Sequence, residues 1–274
     1  RSLEALEKEG FEVTLLSPDA SGAVSPQAVA AALRPDTVLV SLMLVNNETG
    51  AITDIAGISR ALKAAGSPAL LHTDAVQGFL KIPFTPGGMG ADLISLSGHK
   101  IHAPKGIGAL YIRSGLRLPP YIYGGGQEGG LRSGTEALPQ IAAFGAAAEV
   151  GAREAPAAQA HMAALRRRCI DTLRARAPEI IITGGGAPHV LNLSLPGYRS
   201  EVLMNYLDAQ EIYVSKGSAC KRGKRSHVLE AMGLPPRVID GAIRVSLSRF
   251  TTEEEIDGFC AALLAAKATL RSAL

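Results

Sequence analysis

The amino-acid sequence predicts an α/β fold of parallel strands joined by helices, followed by a smaller α+β domain. Three observations carry that expectation. Strand-like and helix-like segments alternate through the first half of the chain, as they do where helices cover a parallel sheet. Asn46, Asp74 and Ser97 each stand where a predicted strand ends, and the carboxyl ends of parallel strands are where such folds place ligands. After Pro178 the alternation gives way to short strands and short helices of a different rhythm.

Taken in order, the chain opens at Arg1, without Met, on an amphipathic Leu3, Leu6 pattern, an abrupt start that reads as a fragment. A strand is expected over Phe11 to Leu16, a helix over Pro26 to Leu33 and a buried strand over Thr37 to Val45. The polar run Asn46 to Gly50 makes a turn, and a helix follows from Asp54 to Ala65. Further strands fall at Ala69 to Thr73, ending on Asp74, then at Asp92 to Ser97 and Gly108 to Ile112. Tyr123 to Gly130 is a glycine loop, and Pro139 to about Ala177 is helical and Ala-rich. Beyond it come strands at Ile180 to Thr183 and Val190 to Leu195, a helix at Ser200 to Gln210, and a strand at Ile212 to Ser215. A loop carrying Cys220, a strand at Ala242 to Leu247 and an amphipathic helix from Glu253 complete the chain. The division is placed at 1–155 and 156–274.

Composition narrows the function. At 274 residues and 47% hydrophobic, the chain buries a substantial core. A net charge of +3 from 28 basic and 25 acidic residues, spread along the chain, does not imply nucleic acid. The three cysteines, Cys169, Cys220 and Cys260, show neither CxxC spacing nor an even count, so neither a metal site nor a disulfide framework is expected, and a cytoplasmic setting fits. Apolar runs are far shorter than a membrane span.

The most informative stretch is Ser97-Gly98-His99-Lys100, directly after a strand. A lysine that forms an imine must be fixed in place, partly desolvated, and close to groups that bind a phosphate; Ser97 and His99 can supply those groups. Read alone, the same four residues describe a surface lysine at a turn. Asp74 suits either a pyridinium nitrogen or a helix N-cap. Asn47 suits either a hydrogen bond to a phenolate or carboxylate, or a backbone turn. Cys220 lies among Gly217, Ser218, Lys221, Arg222, Gly223, Lys224 and Arg225, an electropositive setting that favours thiolate. Cys169 and Cys260 have apolar neighbours in helical stretches and are given no role.

Six motifs then stand together in one order: Val45-Asn46-Asn47-Glu48-Thr49-Gly50, Asp74-Ala75-Val76-Gln77, Ser97-Gly98-His99-Lys100, Arg132-Ser133-Gly134-Thr135, Gly217-Ser218-Ala219-Cys220 and Arg244 to Thr251. The set resembles the NifS/IscS-like cysteine desulfurases of the class V aminotransferase group. The resemblance implies a type I pyridoxal-phosphate (aspartate aminotransferase-like) fold, with a mostly parallel sheet in a large domain, a small C-terminal domain, and a homodimer with active sites at the subunit boundary. It implies that Lys100 carries pyridoxal 5'-phosphate, with His99 beside it, and that Asp74 pairs with the ring nitrogen. Asn47 and Gln77 would address the phenolate side, Ser97 and His99 the phosphate, and Thr135 the phosphate of the neighbouring subunit. Arg244, with Asn47, would bind the substrate carboxylate, and Cys220 would take sulfur from L-cysteine as a persulfide, releasing L-alanine. A sulfur acceptor would follow, an iron-sulfur scaffold or a tRNA-thiolation protein.

The chain departs from the family pattern at Gly129, where Arg is usual, at Ala103-Pro104-Lys105-Gly106 and at Ser215-Lys216-Gly217, and the loop after Cys220 looks short. The family's N-terminal phosphate turn and ring-stacking His have no counterpart, so this fragment alone is expected to be inactive. Two other readings remain: a truncated, cofactor-poor scaffold, and a selenocysteine lyase or class V aminotransferase. The Gly-Ser-Ala-Cys setting of Cys220 argues against the aminotransferase, while the lyase is separated by a sulfur-versus-selenium assay.

Overall fold

The computed structural model describes residues 2–217 and 225–272; Cys220 and its neighbours from 218 to 224 lie outside the described residues. The first half holds α1 (Ser2–Lys8), α2 (Pro26–Ala32), β1 (Leu39–Met43), α3 (Ile55–Ala64), β2 (Leu70–Asp74), α4 (Pro86–Met89), β3 (Leu93–Ser97) and β4 (Gly108–Ile112). These strands form one sheet in the order β1-β2-β3-β4, with the first three parallel and β4 antiparallel to β3. The helices begin where the chemistry allows. Ser25 and Asp54 each accept a hydrogen bond from the backbone N–H three residues on, capping α2 and α3, and Pro26 takes the first turn of α2.

α5 (Leu138–Arg176) runs on through Pro156 and buries only its second half, where Met162, Leu165, Cys169 and Leu173 recur at helical spacing. After it come β5 (Ile181–Ile182), β6 (Val190–Ser194), α6 (Ser200–Asp208), α7 (His227–Ala231), α8 (Pro236–Asp240), β7 (Ala242–Ser246) and α9 (Glu253–Thr269). β5, β6 and β7 make an antiparallel sheet in that order. The buried face of α5 packs with Ile256, Phe259, Cys260 and Leu263 of α9 and with Leu191, Leu193 and Ile243 of the small sheet. At about 1.5–3 kcal/mol for each fully buried large side chain, this second core holds the small sheet rigid. A capping box starts α9: Glu255 N–H donates to Thr252 Oγ1 at 3.2 Å and Thr252 N–H donates back to Glu255 Oε2 at 2.8 Å.

Two expected strands are absent. Phe11 to Leu16 is extended but pairs with nothing among the described residues, and Leu15 is 79% exposed. A period-two pattern becomes a strand only when another strand completes its hydrogen bonds. Here the segment instead borders an open cavity of about 880 Å³ against the outer side of β1. Ile212 to Ser215 forms a single bridge, Ser215 to Arg244, because Glu211 turns the chain with φ +61° and only the last residue reaches β7. The strand expected at Ile180 to Thr183 shrinks to two residues. α4, α7 and α8 are single turns that the periodicity did not announce.

The two sheets meet where the turn after β1 presses on β6. Gly50 has φ +71°, and a Cβ there would lie 2.9 Å from the Val190 carbonyl oxygen. Gly50→Ala should therefore destabilise the protein by about 1–3 kcal/mol in a denaturant titration, through strain at positive φ and a backbone clash.

Candidate active site at the carboxyl ends of the large sheet

Register brings the carboxyl ends of the three parallel strands side by side: Met43 is opposite Asp74, and Asp74 is opposite Ser95, two residues before Ser97. Across the same strands, Ser41 Oγ lies 2.8 Å from His72 Nδ1 and Ser95 Oγ lies 2.9 Å from His72 Nε2. His72 and Asp74 share one face of β2. Burial holds the His72 pKa below its ordinary value, opposed by Asp74, so a neutral imidazole cross-links the strands that carry the site.

After β1, Asn46 builds the turn. Its Oδ1 accepts from the N–H groups of Glu48 at 2.9 Å and Thr49 at 3.0 Å. That leaves Asn47 at the apex with no hydrogen bond to its side chain among the described residues, while its carbonyl accepts from Arg244 Nη1 at 2.8 Å. Glu48 is only 2% exposed; its Oε2 accepts from Ser226 Oγ at 2.5 Å, and its carbonyl accepts from Asn192 Nδ2 at 3.1 Å.

After β2, Asp74 Oδ1 accepts from Val76 N–H at 2.9 Å, and the turn carries Gln77, whose amide makes no side-chain hydrogen bond among the described residues. After β3, Gly98 N–H donates to the Ile107 carbonyl at 2.9 Å, and a Cβ on Gly98 would sit 2.7 Å from Ile107 Cγ2. That close approach allows a 3-10 turn, Gly98–Ile101, which presents Lys100 half-buried, without an ion pair or hydrogen bond among the described residues. Ser97 Oγ and His99 Nδ1 are 2.7 Å apart.

Arg244 comes from the other sheet, opposite Asn192 on β6. Its Nε is buried without a partner, and burial draws its pKa down against the pull of Glu48. A guanidinium with an uncommitted edge suits a carboxylate. Thr135 stands apart: it is exposed between the glycine loop and α5, with no hydrogen bond to the strand-end residues. Cys169 and Cys260 are both buried, as their apolar settings suggested.

Three residues in this neighbourhood were not anticipated. Glu48 lay inside a quoted motif without a role, Ser226 lay beyond the cysteine loop, and His189 gave no signal. His189 precedes β6, is 5% exposed, and among the described residues has no hydrogen-bond partner on either ring nitrogen.

A parallel-dominated α/β sheet of this topology, with a lysine on the turn after its third strand and a small domain leaning on the strand ends, is the type I pyridoxal-phosphate fold. The chain belongs to the class-V aminotransferase family, whose model matches residues 2–259. It is 44% identical over 263 residues to cysteine desulfurase 2 of Trichormus variabilis, covering 92% of this chain and 64% of that protein. It is 43% identical to the cysteine desulfurase IscS of Anaeromyxobacter dehalogenans, covering 93% of this chain and 64% of the relative. Among solved structures it is similar to a NifS-like protein with a TM-score of 0.90 and 37% identity, covering 98% of this chain and 72% of that one. A NifS-like protein of Rickettsia africae matches with a TM-score of 0.87 and 29% identity, over 98% of this chain and 73% of the other. The chain thus spans just under two thirds of the length of these curated relatives.

Burial, with the charges of Lys81 and Lys100, pulls the His189 pKa from 6.5 to about 4. The unfolded chain takes up this proton near pH 6.5 and the folded chain only near 4, so the unfolded state binds more protons between those values. Stability should fall as pH drops from about 6.5 to 4, by about 3 kcal/mol at roughly 1.4 kcal/mol per pH unit. His189→Gln should flatten that acid limb in denaturation curves recorded at successive pH values.

Proposed function

We propose that the full-length protein is a pyridoxal-phosphate-dependent cysteine desulfurase, taking sulfur from L-cysteine onto Cys220 and releasing L-alanine. One observation carries the reading. Arg244 and both stems of the cysteine segment converge on the Asn46–Gly50 turn: Arg244 bonds the Asn47 carbonyl, Ser226 bonds the Glu48 carboxylate, and a Cβ at Gly217 would lie 2.6 Å from that carboxylate. The chain leading to the thiol and the chain leaving it therefore start from the side where Arg244 would hold a substrate carboxylate. The names of the relatives support the same activity.

The donor chemistry fits the cofactor. Among the described residues Lys100 Nζ is uncommitted and the Asn47 and Gln77 amides are unpaired, Asp74 spends one oxygen on its own turn, and Ser97 and His99 form a ready pair for a phosphate. Pyridoxal phosphate supplies the electron sink when bound. Lys100 would hold it, and its Nζ would move protons beside the bound substrate. Asp74 keeps a proton on the ring nitrogen, Asn47 and Gln77 orient the phenolate oxygen, and Arg244 fixes the substrate carboxylate. The Cys220 thiolate attacks the substrate sulfur: a sulfur–sulfur bond forms, the substrate carbon–sulfur bond breaks, and the carbon left behind is protonated to alanine.

Thr135, exposed and free of the strand-end cluster, suits a reach to the phosphate of a second subunit in a homodimer. The persulfide would pass to a sulfur acceptor, an iron-sulfur scaffold or a tRNA-thiolation protein, in the cytoplasm. Among the described residues no helix is long and apolar enough to cross a membrane. The division at residues 155 and 156 falls at Pro156 inside α5, and two separate cores support it, one spanning Val29 to Ile94 with Ala187 and one spanning Met162 to Ala266.

In the full-length protein, Lys100→Ala should abolish the yellow absorbance and the borohydride-trapped mass adduct, and an adduct on another lysine would sink the assignment. Cys220→Ala should keep both signals while persulfide labelling falls to background; a label mapped to Cys169 or Cys260 at the wild-type rate would remove Cys220 from the mechanism.

A further inference from the structure

We infer that His189 is a positioning residue of the cofactor site, a post from the small domain that seats the Gln77 turn and the Lys100 side chain. The inference rests on the cofactor reading above. The ring is 5% exposed, and neither nitrogen has a hydrogen-bond partner among the described residues. Its own main chain is fixed, since Leu247 N–H donates to the His189 carbonyl at 2.9 Å, which ties it to the end of β7. The groups that act on the ring come from the other sheet's turns: the Gln77 backbone, which it faces without closing a hydrogen bond, and the ammonium groups of Lys81 and Lys100.

A buried imidazole with both nitrogens idle is a net loss to folding, and an apolar side chain of similar shape would serve the core as well or better. Polar groups kept at such a cost are found at functional sites. The position supplies the function. An uncharged imidazole offers one N–H donor and one lone pair, matching one main-chain acceptor and one ammonium donor. The acceptor is on the residue assigned to the phenolate side of the cofactor, and one of the ammonium groups is on the lysine assigned to carry it. A small approach of the Gln77 turn completes the first hydrogen bond and fixes the amide beside the cofactor. The second nitrogen holds lysine Nζ without adding charge to a basic neighbourhood in which burial and then Arg249 lower the Lys81 pKa, and burial, then Lys81 and Arg249, lower that of His102.

The test compares wild type, His189→Leu, His189→Asn and Lys100→Ala in the full-length protein. Cofactor affinity is read by absorbance titration of the apo form, the linkage by borohydride trapping and peptide mass, and stability by apo melting temperature. His189→Leu should weaken cofactor binding by at least about tenfold while the apo melting temperature stays level or rises. His189→Asn, which keeps one donor and one acceptor, should return the affinity to within about threefold of wild type. A purely structural histidine predicts the reverse. If His189→Leu lowers the melting temperature and leaves affinity unchanged, or if Asn is as defective as Leu, the inference is overturned. If wild type carries no adduct that Lys100→Ala removes, the cofactor reading itself fails, an outcome separate from any behaviour of His189.

Discussion

The hydrogen bond from Arg244 to the Asn47 carbonyl is the contact on which the arrangement depends, because it ties the small sheet to the strand ends of the large one. It does not act alone. Glu48 is buried beside it with its carboxylate on Ser226 and its carbonyl on Asn192, and Gly50 lets the turn press against β6 with no side chain between. A buried carboxylate and a half-buried guanidinium in one place would each be costly alone. Together, and each hydrogen-bonded, they fix the approach of two units whose apolar cores are otherwise separate. The polar junction specifies geometry, and the cores on either side supply the bulk of the stability.

That division of labour explains why the sheet is so heavily cross-linked near its carboxyl edge. A site assembled from the ends of three strands is only as well defined as their relative register. The Ser41–His72–Ser95 ladder spans all three strands on the face that Asp74 shares. Three turns then do three different things from a common baseline. One presents an unpaired amide, one a carboxylate braced by its own backbone, and one a lysine raised on a tight 3-10 turn that only Gly98 permits. Keeping His72 uncharged matters here, since a cation beside Asp74 would compete for the carboxylate proposed to face the cofactor's ring nitrogen.

Much of this was legible in the sequence, for a physical reason. β1, β2, β3 and the helices α2 and α3 declare themselves through local pattern and caps, and Asn47, Asp74, Ser97 and Lys100, the residues proposed for the site, follow the ends of those strands. The six motifs added Arg244, whose partner is 197 residues away. What stayed hidden depends on contacts that local pattern does not encode. Glu48 meets Ser226 across 178 residues, and the environment of His189 comes from turns on the other sheet. Phe11 to Leu16 misled for the converse reason: its alternation is real, but a strand is a property of two segments, and the described residues offer it no partner.

The thiols show how the fold separates structure from chemistry. Cys169 and Cys260 face each other across α5 and α9 with their sulfurs 3.8 Å apart, and both are at most 2% exposed. Their mutual hydrogen bond and burial push the Cys169 thiol up, away from the thiolate that nucleophilic attack requires. Both sulfurs lie in the core between the helix pair that packs on β6 and β7. Cys220 lies outside the described residues; in sequence it stands between Lys216 and Arg225, and the described residues on either side of its segment, Gly217 and Ser226, meet the Glu48 carboxylate rather than a core. A thiol proposed to accept sulfur and hand it on must be reachable from two directions in turn, and burial between α5 and α9 denies that access to Cys169 and Cys260.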